Sequence, residues 1–317
     1  MYEDFSKIVE GKSKFLLIGH EQPDGDAIGA LLALYEFLKE KGKKVSMVVS
    51  GDIPEIFSFL TNIEKIKGDF LFGDFDVIVL LDNGDLKRTG YISRILKAKA
   101  SELPVINIDH HPRNDIWKNA TINMADPSAS STCEIIYDLF SHLKYPLSAN
   151  VATSLLLGIY GDTGGFQHQN TSKKVMIIAS ELLKAGAKLK KISSSVMQSR
   201  SVKMLKLWGI AINNIFEYGS SGLIVSIISK EEIEKVGATE DDISGLVNLL
   251  NTASESKASL LIYETLDGKI RGSLRTDRND VDVSSFAKIL GGGGHKKASG
   301  FSLSGELQKT NSGWQIK

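Results

Sequence analysis

The chain has 317 residues, of which 42% are hydrophobic and 24% are charged, and its 38 basic side chains equal its 38 acidic ones in number. This length exceeds what one small hydrophobic core supports and predicts two domains. The neutral balance argues against a long nucleic-acid footprint, which normally needs an excess of Lys and Arg. It still allows a small anionic ligand held by a few local cations.

The cysteine content and the hydropathy pattern bear on the compartment. Cys133 is the only cysteine, so an intramolecular disulfide is impossible and a reducing cytosol is expected. The first residues mix acidic, basic and aromatic side chains and do not resemble a signal peptide. No apolar stretch approaches the ~20 residues that cross a bilayer. The sequence therefore predicts a cytoplasmic protein without a membrane partner.

The first half of the chain alternates short apolar runs with segments of helical periodicity. This pattern predicts an α/β fold in which a parallel sheet is flanked by helices on both faces. The predicted strands are 15–19, 45–49, 77–81 and 105–108. The predicted helices are 27–41, 90–100, 132–143 and 148–160.

The second half has its own strands and helices and predicts a smaller mixed α/β domain. Strands are expected at 223–228, 258–263, 270–274 and 300–303, and helices near 239–251 and 283–290. The intervening chain becomes polar near Ala185 and has a helical pattern over 201–216. We therefore predict a first domain at 1–187, a helical linker at 188–216 and a second domain at 217–317.

Acidic and imidazole side chains stand at the predicted ends of strands in the first half. The C-terminal ends of parallel strands meet at one edge, where open sheets bind their ligands. Asp162 falls just past a predicted helix, and we expect its loop to bring it to the same edge. The four groups are His20 with Asp24 and Asp26, Asp82, Asp109 with His110 and His111, and Asp162.

Each of these groups also has an ordinary structural interpretation. Asp24, Gly25 and Asp26 could form a turn with an aspartate N-cap for the next helix. Asp82 could belong to a turn, and Asp162 could belong to the C-terminal cap of a helix. The hypothesis of a metal site depends on all four groups occurring together at element ends.

The available ligand atoms narrow the choice of metal. Carboxylate oxygen and imidazole nitrogen without thiolate suit Mn²⁺, with Mg²⁺ or Co²⁺ as substitutes. A structural zinc site would need several cysteines. Two ions about 3.5–4 Å apart can activate a shared water, and Asp82 is the most economical carboxylate to stand between them. The residues thus predict a two-metal hydrolase.

Five motifs resemble, in order, those of the DHH phosphoesterases with their associated DHHA1 domain. The resemblance covers nearly the whole chain and implies a DHH catalytic domain at 1–187 and a DHHA1 domain at 217–317, with the active site in the cleft between them. The motifs are His20-Glu-Gln-Pro-Asp-Gly-Asp26, the strand-end Asp82, Asp109-His-His111, Gly161-Asp-Thr-Gly164 and Gly291-Gly-Gly-Gly-His295-Lys-Lys-Ala298-Ser-Gly300.

The resemblance also implies roles for the matching residues of the first domain. Asp109 would orient a ligand histidine. His111 would face the substrate phosphate as a charge stabiliser or as a proton donor to the leaving oxygen. The implied metal ligands are His20, Asp24 and Asp82 for one ion, and Asp26, Asp82, His110 and Asp162 for the other.

In the second domain the resemblance implies substrate contacts. Gly292, Gly293 and Gly294 would let backbone N–H groups approach a phosphate or ribose. His295 would contact the scissile or terminal phosphate, and the planar fork of Arg275 suits a phosphate clamp. Taken alone, a glycine run is more often a flexible loop, but the following His295 and the Ala-x-Gly spacing favour a ligand cradle here. Arg275 taken alone would be a surface charge.

Among subgroups, the motifs and length resemble the stand-alone oligoribonuclease, or nanoRNase, type, which in turn resembles phosphatases for 3′-phosphoadenosine 5′-phosphate. The expected partners are short oligonucleotides or nucleotide phosphates, with no long duplex nucleic acid. Hydrolysis would yield nucleoside 5′-monophosphates. Gln167 stands where relatives often carry Arg, which leaves the substrate choice open. Linear dinucleotides from cyclic dinucleotide turnover, a nucleotide sensor, another kind of two-metal hydrolase and a homodimer also stay open.

Overall fold

The computed structural model describes residues 1–71, 73–111, 116–196, 201–254, 256–265, 267–310 and 313–317. It divides into two compact units, a first unit of Met1–Ser199 and a second unit of Arg200–Lys317. No helix in the described ranges is long and apolar enough to cross a bilayer.

The first unit is built on a six-stranded sheet. Its strands are β1 (Lys14–Ile18), β2 (Lys44–Val48), β3 (Ile66–Lys67), β4 (Val77–Leu81), β5 (Val105–Asp109) and β6 (Ile122–Ala125). They are all parallel and lie in the order β3-β2-β1-β4-β5-β6. The order reverses between β1 and β4, and in open parallel sheets such a reversal leaves a ligand crevice at the C-terminal strand ends.

Seven helices of the described chain belong to the first unit and cover both faces of its sheet. Phe15 and Leu17 of β1 pack into one apolar cluster, and Leu16 and Ile18 pack into another on the opposite face, as the twofold period of a strand requires. The helices are α1 (Tyr2–Gly11), α2 (Gly25–Glu40), α3 (Ile92–Ala100), α4 (Thr132–His142), α5 (Ala149–Asp162), α6 (Lys173–Lys184) and α7 (Leu189–Val196).

The predicted parallel sheet with flanking helices is confirmed. The two edge strands, β3 and β6, are not evident in the sequence for physical reasons. β3 has only two residues, and β6 alternates buried and exposed side chains at its start instead of forming an apolar run.

The second unit contains a mixed sheet and a small two-stranded sheet. Its larger sheet has the order β11-β12-β10-β9-β8-β7, in which only β8 and β9 are parallel neighbours, and β13 pairs with β14. The elements are α8 (Val202–Asn213), β7 (Phe216–Tyr218), β8 (Leu223–Ile228), α9 (Lys230–Lys235), α10 (Leu246–Leu250), β9 (Ala258–Glu264), β10 (Lys269–Arg275), α11 (Val283–Ile289), β11 (Gly293–His295), β12 (Ala298–Ser304), β13 (Leu307–Thr310) and β14 (Gly313–Ile316).

Two predicted helices differ from the observed elements. The helix expected near 239–251 is divided into a short 3-10 turn and α10, because Gly245 between them has a left-handed φ of 79°. The helix expected over 201–216 ends at Asn213, and Phe216 begins β7.

The predicted linker segment 188–216 contributes one helix to each unit. Ile192 of α7 is buried in the core of the first unit, whereas Leu207 and Trp208 of α8 are buried in the core of the second. Residues 197–200 of this segment lie outside the described residues.

Candidate metal centre

His20 follows β1 with its imidazole almost fully buried. Its Nδ1 lies 2.7 Å from the carbonyl oxygen of Glu21, and because a carbonyl only accepts, Nδ1 carries the proton. The lone pair of Nε2 then lies 3.7 Å from Asp24 Oδ1 and 3.7 Å from Asp82 Oδ2. Nε2 is buried and has no hydrogen-bond partner among the described residues. This orphaned acceptor between two carboxylates fits a metal ligand.

Asp24 and Asp26 lie at the start of α2 and accept hydrogen bonds from different parts of the chain. Asp24 is the N-cap, and its carboxylate accepts hydrogen bonds from the backbone N–H groups of Asp26 and Ala27. Asp26 is fully buried and accepts from the backbone N–H groups of Thr132 and Cys133. These donors form the N-terminus of α4, whose dipole stabilises a carboxylate. The N-cap interpretation of Asp24 is correct, and the same carboxylate also faces His20.

Asp82 lies between the other ligand candidates. It follows β4 with a left-handed φ of 60°, and its carboxylate is only 2% exposed. Oδ2 faces His20, while Oδ1 lies 3.6 Å from His110 Nε2. Oδ1 also accepts a hydrogen bond from the Thr132 hydroxyl. One carboxylate therefore faces two separate imidazoles.

Asp162 reaches the same edge from a helix. Its Oδ2 lies 3.2 Å from His110 Nε2, and it is the last residue of α5. The expectation that a loop carries Asp162 is wrong. The C-terminal end of α5 presents the carboxylate directly.

The ligand atoms of these residues form three close sets. The first contains His20, Asp24 and Asp82, the second Asp26, His110 and Asp162, and the third Asp82, His110 and His111, each with its atoms within 4.8 Å of one another. The first contains the three ligands that the resemblance implies for one ion, and the second contains three of the four implied for the other; the fourth, Asp82, lies beside His110 in the third set. In the third, His111 Nδ1 is already 2.7 Å from Asp109 Oδ1, so that nitrogen is engaged elsewhere.

The carboxylates of the site repel one another. Burial, together with the charges of Asp26 and Asp24, raises the pKa of Asp82 well above its ordinary value and raises the pKa of Asp162 to about 9. Burial also raises the pKa of Asp26. Divalent cations would take the place of the protons that this cluster otherwise requires. The donor chemistry and the electrostatics thus both fit a centre able to bind metal.

Asp109 supports His111 behind the ligand cluster. Its Oδ2 accepts from the Gly84 N–H at 2.7 Å, and its Oδ1 accepts from the His111 backbone N–H and ring Nδ1. Although burial opposes ionisation, the hydrogen bonds from His111 and Gly84 keep the pKa of Asp109 below its ordinary value. The histidine that Asp109 orients is therefore His111.

Two residues of the site are not evident in the sequence. Thr132 contacts both Asp26 and Asp82, and its only signal is its position at a predicted helix start. Arg88 places Nη1 3.2 Å from His111 Nε2. A guanidinium only donates, so His111 Nε2 accepts, and its Nδ1–H points to Asp109.

The second unit places Arg275 and His295 in one row of its larger sheet. Arg275 of β10 and His295 of β11 both pair with Ala298 of β12. Residues directly opposite in antiparallel strands project to the same face. Arg275 is anchored by bonds from Nε to Asn248 Oδ1 and from Nη1 to the Leu274 carbonyl, and burial lowers its pKa. The register therefore directs the guanidinium of Arg275 and the imidazole of His295 to one face.

The second half of the glycine run is a structured edge of that sheet rather than a flexible loop. Gly293 and Gly294 begin β11 and pair with β12. A Cβ on Gly292 would lie 2.1 Å from the Gly300 carbonyl, and one on Gly294 would lie 2.6 Å from the Ala298 carbonyl. A Cβ on Gly293 would meet nothing within 4 Å. Two of these glycines permit close strand packing, and Gly293 is open.

The order of the parallel sheet and the acidic and imidazole side chains at its carboxyl edge define an α/β protein with a site able to bind metal. Residues 14–159 match the model of the DHH family N-terminal domain, and residues 220–312 match that of the DHHA1 domain. The chain belongs to the DHH family. The resemblance inferred from the motifs, and the expectation of a hydrolase of this family, are confirmed.

Similar proteins extend over most of the chain. The bifunctional oligoribonuclease and PAP phosphatase NrnA of Thermus thermophilus is 32% identical over 301 residues, covering 94% of this chain and 86% of that protein. NrnA of Bacillus subtilis is 28% identical over 291 residues, covering 91% and 88%. An exopolyphosphatase-related protein from Bacteroides fragilis has a TM-score of 0.84 and 30% identity, covering 95% and 90%.

Proposed function

We propose that this protein is a metal-dependent phosphoesterase that hydrolyses short oligonucleotides to nucleoside 5′-monophosphates and also dephosphorylates 3′-phosphoadenosine 5′-phosphate. The observation that carries the proposal is Asp82, whose two oxygens face His20 and His110 in separate ligand sets. The names of the Thermus thermophilus and Bacillus subtilis relatives support the choice of substrates.

The residues of the first unit have separate roles in this proposal. The two ligand sets, His20 with Asp24 and Asp82 and Asp26 with His110 and Asp162, would hold divalent cations, of which Mn²⁺ is our choice with Mg²⁺ or Co²⁺ as substitutes. When bound, these cations would supply an activated water and neutralise phosphate charge. Asp82 fixes the spacing of the two ligand sets. Asp26 is held by two N–H groups of α4 and keeps its carboxylate in one orientation. The bond from His20 Nδ1–H to the Glu21 carbonyl orients the ring so that Nε2 is the nitrogen that faces the candidate metal position.

We assign the anchoring of the substrate to the second unit. Arg275 and His295 project from one row of the sheet, and the guanidinium fork matches two oxygens of a phosphate. Gly293 and Gly294 bring backbone N–H groups to the same edge, whereas the Gly292 N–H already donates to the Ala287 carbonyl. The open position at Gly293 leaves room for a ligand atom to approach the backbone.

A substrate panel tests this function. Purified protein is stripped with a chelator, reloaded with Mn²⁺, Mg²⁺, Co²⁺ or Zn²⁺, and assayed on di- to pentanucleotides, a linear dinucleotide of guanosine, 3′-phosphoadenosine 5′-phosphate and pyrophosphate. We expect metal-dependent release of nucleoside 5′-monophosphates from the shortest oligonucleotides, with inorganic phosphate released from the bisphosphate. Hydrolysis of pyrophosphate alone, or full activity in the presence of chelator, would contradict the proposal.

A further inference from the structure

Arg88 lies in a loop that is tied to the metal centre on both sides. It belongs to a 3-10 turn after β4, Lys87–Thr89. Its N–H donates to Asp85 Oδ1 at 3.0 Å, and its carbonyl accepts from the Glu21 N–H at 2.6 Å. Because Glu21 directly follows His20, the bond from Glu21 joins the loop after β1 to the loop after β4. The backbone of Arg88 is therefore fixed relative to two elements that carry candidate ligands.

The Arg88 side chain extends over Gly84 to His111. Its Nη1 lies 3.2 Å from His111 Nε2. A Cβ on Gly84 would lie 3.3 Å from Arg88 Nη1 and 3.3 Å from His111 Cγ, so the guanidinium and the ring both approach this glycine closely. Gly84 has a left-handed φ of 67°, and its N–H donates to Asp109. The contacts form a continuous line from Asp109 through His111 to Arg88.

The guanidinium keeps donors available beside a phosphate-directed site. An Arg side chain has five N–H donors, and among the described residues its one side-chain hydrogen bond is the bond to His111. No ion pair joins it to a carboxylate of the described chain, although the neighbouring cluster is rich in aspartate. Its planar arrangement of donors matches two oxygens of a phosphate.

We propose that Arg88 binds the scissile phosphate through its remaining guanidinium N–H groups and holds the His111 ring through Nη1. The inference rests on the proposed function and adds a second phosphate-directed cation, in the first unit, to Arg275 of the second. In this arrangement His111 Nε2 is an acceptor, so Arg88 supplies the donors that oppose the charge gained by the phosphate during attack. Arg88 is then a catalytic residue, and His111 is positioned by it and by Asp109.

Variants at Arg88 test the inference, with kcat and KM measured on a dinucleotide in Mn²⁺. We expect Arg88→Gln to lower kcat about 100-fold, as the loss of one preorganised donor does, with a smaller change in KM and with unchanged bound metal. Arg88→Lys keeps the charge without the fork and is expected to stay about tenfold below the parent protein. Added guanidinium ion should partly restore Arg88→Ala.

The matched control is Arg94→Gln. Arg94 lies on α3 and pairs with Asp69, so we expect its kcat and KM to stay within about twofold of the parent values, as for a surface ion pair. Parent-like kinetics of Arg88→Gln would overturn the inference. Loss of bound metal in Arg88→Gln would also overturn the inference, because the fall in kcat would then come from disturbed metal ligands and not from a lost contact to phosphate.

Phosphate binding separates this inference from the proposed function. If the parent protein hydrolyses no nucleotide, the proposed function fails, and calorimetric titration of the Mn²⁺-loaded protein with inorganic phosphate still tests Arg88. We expect Arg88→Gln to bind inorganic phosphate about tenfold more weakly than the parent does, the equivalent of losing one charge-assisted hydrogen bond. Equal affinity in the two proteins would overturn the inference.

Discussion

Thr132 donates a hydrogen bond of 3.0 Å from its hydroxyl to Asp82 Oδ1. Its backbone N–H also donates to Asp26 Oδ2. One residue at the first position of α4 thus orients a carboxylate from each of the two candidate ligand sets. The position of α4 against the sheet is therefore coupled to the geometry of the whole centre.

Thr132→Val should weaken metal binding while keeping the side-chain shape. The substitution leaves Asp82 Oδ1 without its hydroxyl donor, and the loss of such an outer contact typically costs 10–100-fold in metal affinity or activity. We expect about tenfold weaker Mn²⁺ binding, measured by calorimetry, and a lower melting temperature.

Thr265→Val is the matched control for that measurement. Thr265 is equally buried, at 0% exposure, and its hydroxyl is hydrogen-bonded within the second unit. It should lower stability without changing the affinity for Mn²⁺. Equal affinity of Thr132→Val and the parent protein for Mn²⁺ would mean that the hydrogen bond from Thr132 to Asp82 does not contribute to metal binding.

Asp82→Asn tests whether one carboxylate serves both ligand sets. The amide has the same shape but lacks the charge, so it cannot replace a shared anionic ligand. We expect kcat to fall by about 10²–10⁴-fold, the range that corresponds to several kcal/mol of lost stabilisation, and the bound metal to fall below two ions per chain. Mass spectrometry of metals and steady-state kinetics give the two readouts. Asp69→Asn, at an exposed ion pair, is the control and should leave both unchanged.

The fold of the first unit follows largely from local sequence signals. The apolar runs of β1, β4 and β5 end where polar residues begin, so the positions of His20, Asp82 and Asp109 at strand ends could be predicted. The C-terminal end of α5 is predicted less accurately than the strand ends, because apolar periodicity does not mark the last turn of a helix. Asp162 was therefore expected in a loop.

The contacts that orient the candidate ligands depend on tertiary packing. Thr132 contacts Asp82 across 50 positions of sequence, and Arg88 meets His111 across 23. No local pattern encodes a hydroxyl or a guanidinium that reaches an element so far away. In the second unit, the same limit applies to the glycine run, whose strand character depends on pairing with β12.

Asp162→Asn should have opposite effects in the metal-free and metal-loaded protein. Burial and neighbouring carboxylates raise the pKa of Asp162 to about 9 from an ordinary value of 3.8. A raised carboxyl pKa means that folding is favoured with the proton bound, so stability is lost as the pH rises between these two values. In chelator at pH 8 we expect the variant to melt about 2–4 °C higher, the shift given by about 1 kcal/mol.

With Mn²⁺ present the parent protein should melt at a higher temperature than Asp162→Asn. Its Asp162 carboxylate can bind the ion, and the amide of the variant cannot replace that charge. The advantage of the variant in chelator should also shrink as the pH approaches 4. Thermal melts across this pH range, with and without metal, give both comparisons. A variant less stable than the parent in chelator at every pH would contradict carboxylate repulsion at this site.

Gly292→Ala and Gly293→Ala should separate packing from ligand binding in the second unit. A Cβ at Gly292 would overlap the Gly300 carbonyl, whereas one at Gly293 has open space. We expect Gly292→Ala to lower the melting temperature and Gly293→Ala to leave it unchanged while raising KM for a dinucleotide. An unchanged KM for Gly293→Ala would remove this residue from the substrate contacts.

Gly158→Ala should disturb the candidate metal centre from within α5. A Cβ at Gly158 would lie 2.4 Å from Asp26 Oδ1 and 2.4 Å from Cys133 Sγ. Asp26 cannot yield easily, because two N–H groups of α4 hold its carboxylate. We therefore expect Gly158→Ala to lose stability, by about 1–3 kcal/mol as for overpacking of a core, and to bind Mn²⁺ more weakly.

Gly161→Ala, one turn later in the same helix, is the matched control. A Cβ there would meet nothing within 4 Å, and Ala is favoured over Gly inside a helix by about 1 kcal/mol or less. The control should match or exceed the parent protein in stability and retain its metal affinity. Denaturant unfolding and Mn²⁺ titration compare the two variants. The steric argument requires Gly158→Ala to be less stable than Gly161→Ala and to bind Mn²⁺ more weakly. If Gly158→Ala were as stable as Gly161→Ala and bound Mn²⁺ equally well, Asp26 would be able to move without cost. Its carboxylate would then not be a fixed part of the candidate centre.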